Sequence, residues 1–220
     1  MNRIPFATYD FFGYLASGLL LVMGMDLTLG FPRVLGQDLK PIDVVALLLA
    51  VYVAGQLVAT PSKALLEDGL VEKILGRPNM NLFRPKRPWI RWALFPGFYK
   101  PLPWAVQERV LTRAASEGIG GPGEVLFLHV RYSPEIRGDE KLLARLDTFL
   151  NLYGFARNLA FTSLLVGVAL SVRAWWLHAD PALPKYALTA LVVGILLLYR
   201  YLKFFRQYSY ELFNTYARSK

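Results

Sequence analysis

The apolar residues of this chain are concentrated in four uncharged blocks. They are Phe11–Met25, Val44–Ser62, Asn158–Val172 and Tyr186–Tyr199, and the second, with 19 residues, is the longest. A membrane-spanning helix needs about 20 predominantly apolar residues, so three of the blocks are short for a span. Buried helices of a water-soluble protein are therefore the alternative to membrane helices.

Aromatic and basic residues at the ends of the blocks favour a membrane. Trp175 and Trp176 follow the third block, and Tyr201 and Lys203 follow the fourth. Such residues are typical of the boundary between a bilayer and water, where aromatic rings and long cationic side chains reach the headgroups. They lengthen each block to a plausible span, and the sequence thus predicts four membrane-spanning helices.

The distribution of Lys and Arg predicts the orientation of these helices. Residues 1–10, 63–157 and 200–220 carry 21 of the 25 positive charges, and the two intervening connections carry the other 4. Cytoplasmic segments of membrane proteins are the ones enriched in Lys and Arg. We therefore expect a multi-pass protein with both termini and the long middle segment in the cytoplasm.

The predicted fold is mainly α: a four-helix transmembrane protein of two hairpins with a small, mostly helical cytoplasmic insert between spans 2 and 3. The expected boundaries are residues 1–62 for the first hairpin, 63–147 for the insert, 148–205 for the second hairpin and 206–220 for a cytoplasmic C-terminal tail.

The insert contains three helical patterns and one ambiguous run. Apolar residues recur at helical spacing in Pro61–Arg77, Trp104–Ser116 and Asp139–Tyr153, and the last should continue into the third span. The glycine-rich stretch Gly118–Gly123 predicts a loop. Glu124–Tyr132 is a short apolar run between turn signals, for which we expect a strand or a buried segment.

The chain offers little that could support catalysis. It has no cysteine, and its two histidines, His129 and His178, show no metal-ligand spacing. His129 lies in an apolar run, where a hydrogen-bonded core residue is the favoured interpretation. The loop GIGGPG is followed by Glu124 rather than by the Lys and hydroxyl residue of a phosphate-binding loop. We therefore predict a protein that is not an enzyme and that needs no metal or cofactor.

One stretch combines positive charge with aromatic rings. Between Lys73 and Gln107 there are seven positive charges and no acid, with Phe, Trp and Tyr residues interleaved. At a bilayer surface such aromatics enter the headgroup region while the cations meet anionic lipid. On a nucleotide or oligonucleotide the same residues would contact phosphates and stack on bases. Packing within the fold is the third alternative. The candidate binding residues are Arg84, Lys86, Arg87, Trp89, Arg91, Trp92 and Lys100.

Three polar residues within or beside the spans form a second candidate set. Gln56, Arg157 and Asn158 could face the interior of the helix bundle or a water path. For Arg157 the favoured alternative is that it reaches the cytoplasmic surface at the start of its helix, which costs little energy. Gly18 in the first block permits close packing between helices.

Two stretches carry a resemblance to a known group of proteins. TYDFFGYLASGLLL near the start and LDTFLNLYGFARNLAF before the third span resemble a family of uncharacterised bacterial four-span membrane proteins. The layout is also similar to small membrane effectors of anti-phage defence, including the channel-forming component of Hailong-type systems. The resemblance implies the bacterial cytoplasmic (inner) membrane, and the layout implies an antiviral effector that senses a nucleotide or oligonucleotide.

Two functional hypotheses result. The first is a homo-oligomeric, channel-like or membrane-perturbing effector gated by an anionic nucleotide or oligonucleotide on its basic insert. The second is a non-conducting structural or assembly protein whose basic-aromatic insert binds membrane lipids or a partner protein. The net charge of +9 favours an anionic partner in either case.

Overall fold

The chain is mostly helical in the part that its computed structural model describes, which comprises residues 8–29, 39–83, 89–177 and 180–219. No strand occurs within these ranges. The chain divides into two compact units. Unit 1 comprises Met1–Gly69 and Gly154–Tyr201, and unit 2 comprises Leu70–Tyr153 and Leu202–Lys220.

The helices are named here in chain order. They are α1 (Thr8–Leu29), α2 (Pro41–Ser62), a π-helix that continues α2 (Lys63–Leu75), α3 (Pro78–Asn81), α4 (Trp89–Leu94), α5 (Trp104–Ser116), α6 (Glu124–Tyr132), α7 (Pro134–Arg137), α8 (Glu140–Leu177) and α9 (Leu183–Arg218).

Four of these helices are long and apolar enough to cross a membrane: α1, α2 with its continuation, α8 and α9. This confirms the prediction of a multi-pass membrane protein at the level of helix length and composition.

The start of α2 shows how the sequence determines where a helix begins. Pro41 occupies the first turn, and the carboxylate of Asp43 accepts a hydrogen bond of 3.0 Å from the backbone N–H of Lys40, which satisfies a donor at the helix start.

Unit 1 contains a close crossing of α1 and α2. A Cβ atom added to Gly18 would overlap the carbonyl oxygen of Val51, and one added to Gly55 would overlap the carbonyl oxygen of Tyr14. The two backbones therefore touch where both helices carry glycine, which is the packing that small residues allow between membrane helices.

Unit 2 has its own hydrophobic core, to which residues 206–220 contribute. Tyr208, Leu212, Phe213 and Tyr216 of α9 are buried in the same cluster as residues of the insert, and the ring of Phe213 meets that of Phe83 edge-to-face at 4.9 Å. The insert supplies the buried residues Leu82, Phe83, Leu102, Val110, Ala114, Leu126, Val130, Ile136, Leu142 and Leu146. The segment expected as a C-terminal tail thus forms part of a folded core.

The helical patterns of the insert are confirmed, with two differences. Helix α5 has the predicted bounds, the pattern of Asp139–Tyr153 continues without a break into α8, and Gly118–Gly123 is a loop. The helix expected over Pro61–Arg77 continues as a π-helix to Leu75. Of the two alternatives for Glu124–Tyr132, the strand is wrong, because this run forms α6; two of its residues, Leu126 and Val130, are buried.

Candidate functional site

The basic-aromatic stretch contains a short helix, α4, whose six residues are all exposed. Trp89 is 77% exposed and Trp92 56%, and Ile90, Arg91 and Leu94 are exposed as well, so that α4 buries no residue at all. Pro88 precedes the helix, and Pro96 lies two residues beyond its end, so proline restricts its length on both sides. The result is a single helical element with outward-facing tryptophans and a cation.

The residues after α4 are held firmly in unit 2. Phe98, Tyr99 and Leu102 are buried, and the Tyr99 hydroxyl donates a hydrogen bond of 2.8 Å to the carbonyl oxygen of Leu75. The guanidinium of Arg206 donates hydrogen bonds of 3.0 and 2.7 Å to the carbonyl oxygen of Lys100. These contacts fix the backbone immediately C-terminal to α4.

The aromatic residues of the stretch therefore fall into two groups. Phe83, Phe98 and Tyr99 are buried and cannot stack on a ligand, whereas Trp89, Trp92 and Trp104 are exposed. Phe95, which is half-buried, lies between the two groups. Among the candidate cations, Arg91 and Lys100 are exposed. The remaining three candidates, Arg84, Lys86 and Arg87, lie outside the described residues.

A polar cluster in unit 1 joins the end of α2 and its π-helical continuation to α8. The buried Ser62 hydroxyl donates a hydrogen bond of 2.6 Å to Asn158 Oδ1, and Arg157 Nη1 lies 2.5 Å from the carboxylate of Glu67. Arg157 also approaches Asn158 Oδ1 at 3.4 Å, a length at which a hydrogen bond is weak. The side chains of Arg157 and Glu67 are 12% and 21% exposed.

The three polar residues selected from the spans thus have different surroundings. Arg157 and Asn158 belong to the same cluster, where Arg157 is neutralised by a carboxylate that sequence spacing alone did not reveal. Gln56 does not take part in it, because its side chain is exposed on α2 and its Nε2 donates a hydrogen bond of 3.0 Å to the Tyr52 hydroxyl.

A network around Arg113 in unit 2 was not anticipated from the sequence. Its guanidinium forms ion pairs with Glu117 and Glu135, donates a hydrogen bond of 2.9 Å to the Ser219 carbonyl oxygen and lies 4.2 Å above the ring of Tyr216. The only local signal was the pair of Arg113 and Glu117, four residues apart on a helix. Their other partners are brought together by the fold.

The carboxylates of this network are held in their ionised form. The hydrogen bond from His129 is the main cause that lowers the pKa of Glu117, and Arg113 contributes to the same effect. The pKa of Glu135 is lowered mainly by its own backbone N–H and also by Arg113. His129 is hydrogen-bonded, as expected, but it is not a core residue, because its side chain is 29% exposed. The contacts of Arg113 tie the end of α9 to α5 and α7, and the network is called the α9 clamp.

A groove of about 650 Å³ lies beside the clamp in unit 2. Its lining residues are Glu117, Val125, Leu128, His129, Tyr132, Ser133, Pro134 and Glu135. The carboxylates of Glu117 and Glu135 that line the groove are paired with Arg113, and Glu117 also contacts His129. Within the described ranges, no group of three or more His, Asp or Glu residues is arranged to hold a metal ion.

Comparison of the chain with protein-family models, curated proteins and solved structures finds no match.

Proposed function

We propose that this chain is a four-span protein of the bacterial cytoplasmic membrane whose cytoplasmic part binds anionic lipid through α4, in a structural or assembly role. Both termini lie in the cytoplasm in this proposal, because 21 of the 25 positive charges then lie on that side. The observation that carries the proposal is that all six residues of α4 are exposed and none is buried.

The composition of α4 suits a bilayer surface. Tryptophan is enriched at the membrane–water boundary, where its apolar ring and its N–H group are both accommodated. Trp89 and Trp92 would enter the headgroup region together with Ile90 and Leu94. Arg91 would remain at the level of the phosphates, and each such cation near an anionic surface contributes about 1 kcal/mol.

The exposure of the two tryptophans also favours a lipid surface over an enclosed nucleotide site. A nucleotide site would be expected to surround the base with ring faces and the phosphates with donors. Trp89 and Trp92 are instead 77% and 56% exposed, on a helix with no buried residue. A broad, anionic and fluid surface is the binding partner that such an open element fits best.

The proposal is tested with a fluorescent label on α4. Because the chain has no cysteine, Ile90→Cys introduces a single attachment point for a polarity-sensitive dye. The full-length labelled protein is reconstituted into vesicles that contain lipids with a quencher on their acyl chains. We expect a blue-shifted emission and strong quenching in vesicles with anionic lipid, and weaker effects when salt is added or when Arg91 is changed to Gln.

The matched control places the same dye on another exposed helix of unit 2. Glu108→Cys on α5 labels an exposed polar position. Its emission should stay that of a water-exposed dye at every lipid composition. If the dye at position 90 had the same emission wavelength and the same weak quenching as the dye at position 108, α4 would not lie on the bilayer and the proposal would be overturned.

The gated-channel hypothesis stays a prediction beside this one. It requires ligand-dependent ion flux through vesicles that contain only this protein. Vesicles loaded with an ion-sensitive dye give this readout in the same preparation, and flux on addition of an oligonucleotide would favour the channel over the lipid-binding protein.

A further inference from the structure

An amide side chain lies on the outer surface of α2, within the span. Gln56 is exposed, and among the described residues its one recorded hydrogen bond is donated to the Tyr52 hydroxyl, at 3.0 Å. Lys63, the first charged residue after the apolar block, is seven residues away, or about 10 Å along a helix. In a bilayer core about 30 Å thick, this position lies in the hydrocarbon.

Lipid is a poor environment for this side chain. A glutamine amide carries two donor hydrogens and an acceptor oxygen, and acyl chains offer neither donors nor acceptors. Burying a polar group without partners is unfavourable, and amides in membrane spans therefore tend to hydrogen-bond across helices. The bond to Tyr52 satisfies one donor and leaves the carbonyl oxygen available.

The surface around Gln56 has the spacing of a helix–helix contact. Val45, Leu49, Tyr52 and Gln56 follow one another at intervals of four, three and four residues, which keeps them on one face of α2. Val45 is 53% exposed and Leu49 63%. The ring of Tyr52 is fixed from the other side by Phe11 at 5.5 Å, so the hydroxyl that accepts from Gln56 is held in place.

We propose that two copies of this chain pack against each other through this face of α2, with Gln56 of each copy hydrogen-bonded to the other. The inference rests on the four-span insertion proposed above. The partner on this face is a second copy of the chain, because two glutamine amides can hydrogen-bond to each other. The carbonyl oxygen of one Gln56 accepts a hydrogen bond from the side-chain N–H group of the other. Such a pairing is satisfied equally on both sides of a two-fold axis, the commonest symmetry of homo-oligomers.

Disulfide crosslinking in vesicles tests this contact directly. Single cysteines replace Leu49 or Thr60, which flank Gln56 on the same face, in a chain with no other cysteine. The controls are Leu57→Cys, about 100° around the same helix, and Leu188→Cys on α9; both positions are highly exposed, at 70% and 64%. In vesicles that contain only this protein, oxidation should give covalent dimers for positions 49 and 60 and far fewer for positions 57 and 188.

The role of the amide is tested in the same cysteine variants. Gln56→Leu should weaken the association about three- to thirty-fold, the range measured for polar contacts between membrane helices, whereas Gln56→Asn should retain much of it. Equal crosslinking at all four positions, no crosslinking at 49 and 60, or no effect of Gln56→Leu would each overturn the inference.

Resistance of each variant to alkaline extraction separates this inference from the proposal on which it rests. A protein that stays in the membrane but fails to crosslink contradicts the contact through Gln56 alone. A protein released by alkali contradicts the four-span insertion, and the contact with it.

Discussion

Removal of one partner of the ion pair between Arg157 and Glu67 should destabilise unit 1 strongly. The perturbation is Arg157→Leu, which removes the cation and keeps an apolar side chain of moderate size. Glu67 would lose its ionic partner at 2.5 Å while its side chain is only 21% exposed. The change therefore leaves a largely buried carboxylate without a counter-charge, which is the costly way to break an ion pair.

The magnitude follows from burial. Removing one partner of a fully buried pair costs about 3–5 kcal/mol, and the residual exposure of Glu67 reduces this to about 2–4 kcal/mol. Glu67→Gln in the same background should recover part of the loss, because a neutral amide is less unfavourable when buried than an unpaired carboxylate. The double-mutant cycle should give a coupling energy of about 1.5–3 kcal/mol.

The assay is reversible unfolding of the detergent-solubilised protein, followed by its helical circular dichroism as a denaturing detergent is added. The matched control is Lys63→Gln, at an exposed residue of the same π-helix, which should change the free energy of unfolding by less than about 0.5 kcal/mol. The reasoning is refuted if Arg157→Leu lowers the free energy of unfolding no more than this control does. It is also refuted if the effects of Arg157→Leu and Glu67→Gln on that free energy simply add.

Three further predictions concern other contacts. Gly55→Ala should destabilise the crossing of α1 and α2 by about 1–3 kcal/mol, because the added methyl overlaps the Tyr14 carbonyl oxygen; an unchanged unfolding midpoint would contradict it. Arg113→Gln should loosen the end of α9, seen as faster hydrogen exchange there than in the wild-type protein; unchanged exchange would exclude a clamp. Acidification should destabilise unit 2, because the pKa values of Glu117 and Glu135 are lower in the folded protein than in the unfolded chain. The two ionised carboxylates stabilise the fold fully above the usual pKa of 4.5, and this stabilisation is lost as the pH falls through their folded-state pKa values. A stability that is constant between pH 6 and about pH 3 would refute that assignment.

Local pattern was sufficient for most helices. The run Trp104–Ser116 has the helical spacing and a Gly-rich loop after it, so both ends of α5 could be predicted. Glu124–Tyr132 misled because apolar residues occupy more than one face of α6: Leu126 and Val130 are buried, whereas Val125 is 68% exposed. With apolar side chains on both sides, periodicity cannot separate a short helix from a strand.

The missed parts of the sites depend on contacts between distant residues. Glu67 and Arg157 are 90 positions apart, and Arg113 meets Ser219 across 106 positions. Neither pairing leaves a local signal. By contrast, the sequence does contain a local signal for the burial of Tyr208, Leu212 and Tyr216. Their spacing of four residues indicates an apolar helix face beyond the fourth span.

The exposure of α4 likewise required the structure. In the sequence, Trp89 and Trp92 look the same as Phe98 and Tyr99, and only the fold shows that the second pair is buried.

The measurement that tests the account most directly is labelling of single-cysteine variants in intact cells with a thiol reagent that does not cross membranes. Leu39→Cys and Pro181→Cys lie in the connections between paired spans, and Glu108→Cys lies on α5 in the insert. We expect positions 39 and 181 to react in intact cells and position 108 to react only after the cells are opened. Reaction of position 108 in intact cells, or protection of both positions 39 and 181, would contradict a four-span protein that holds α4 at the cytoplasmic surface.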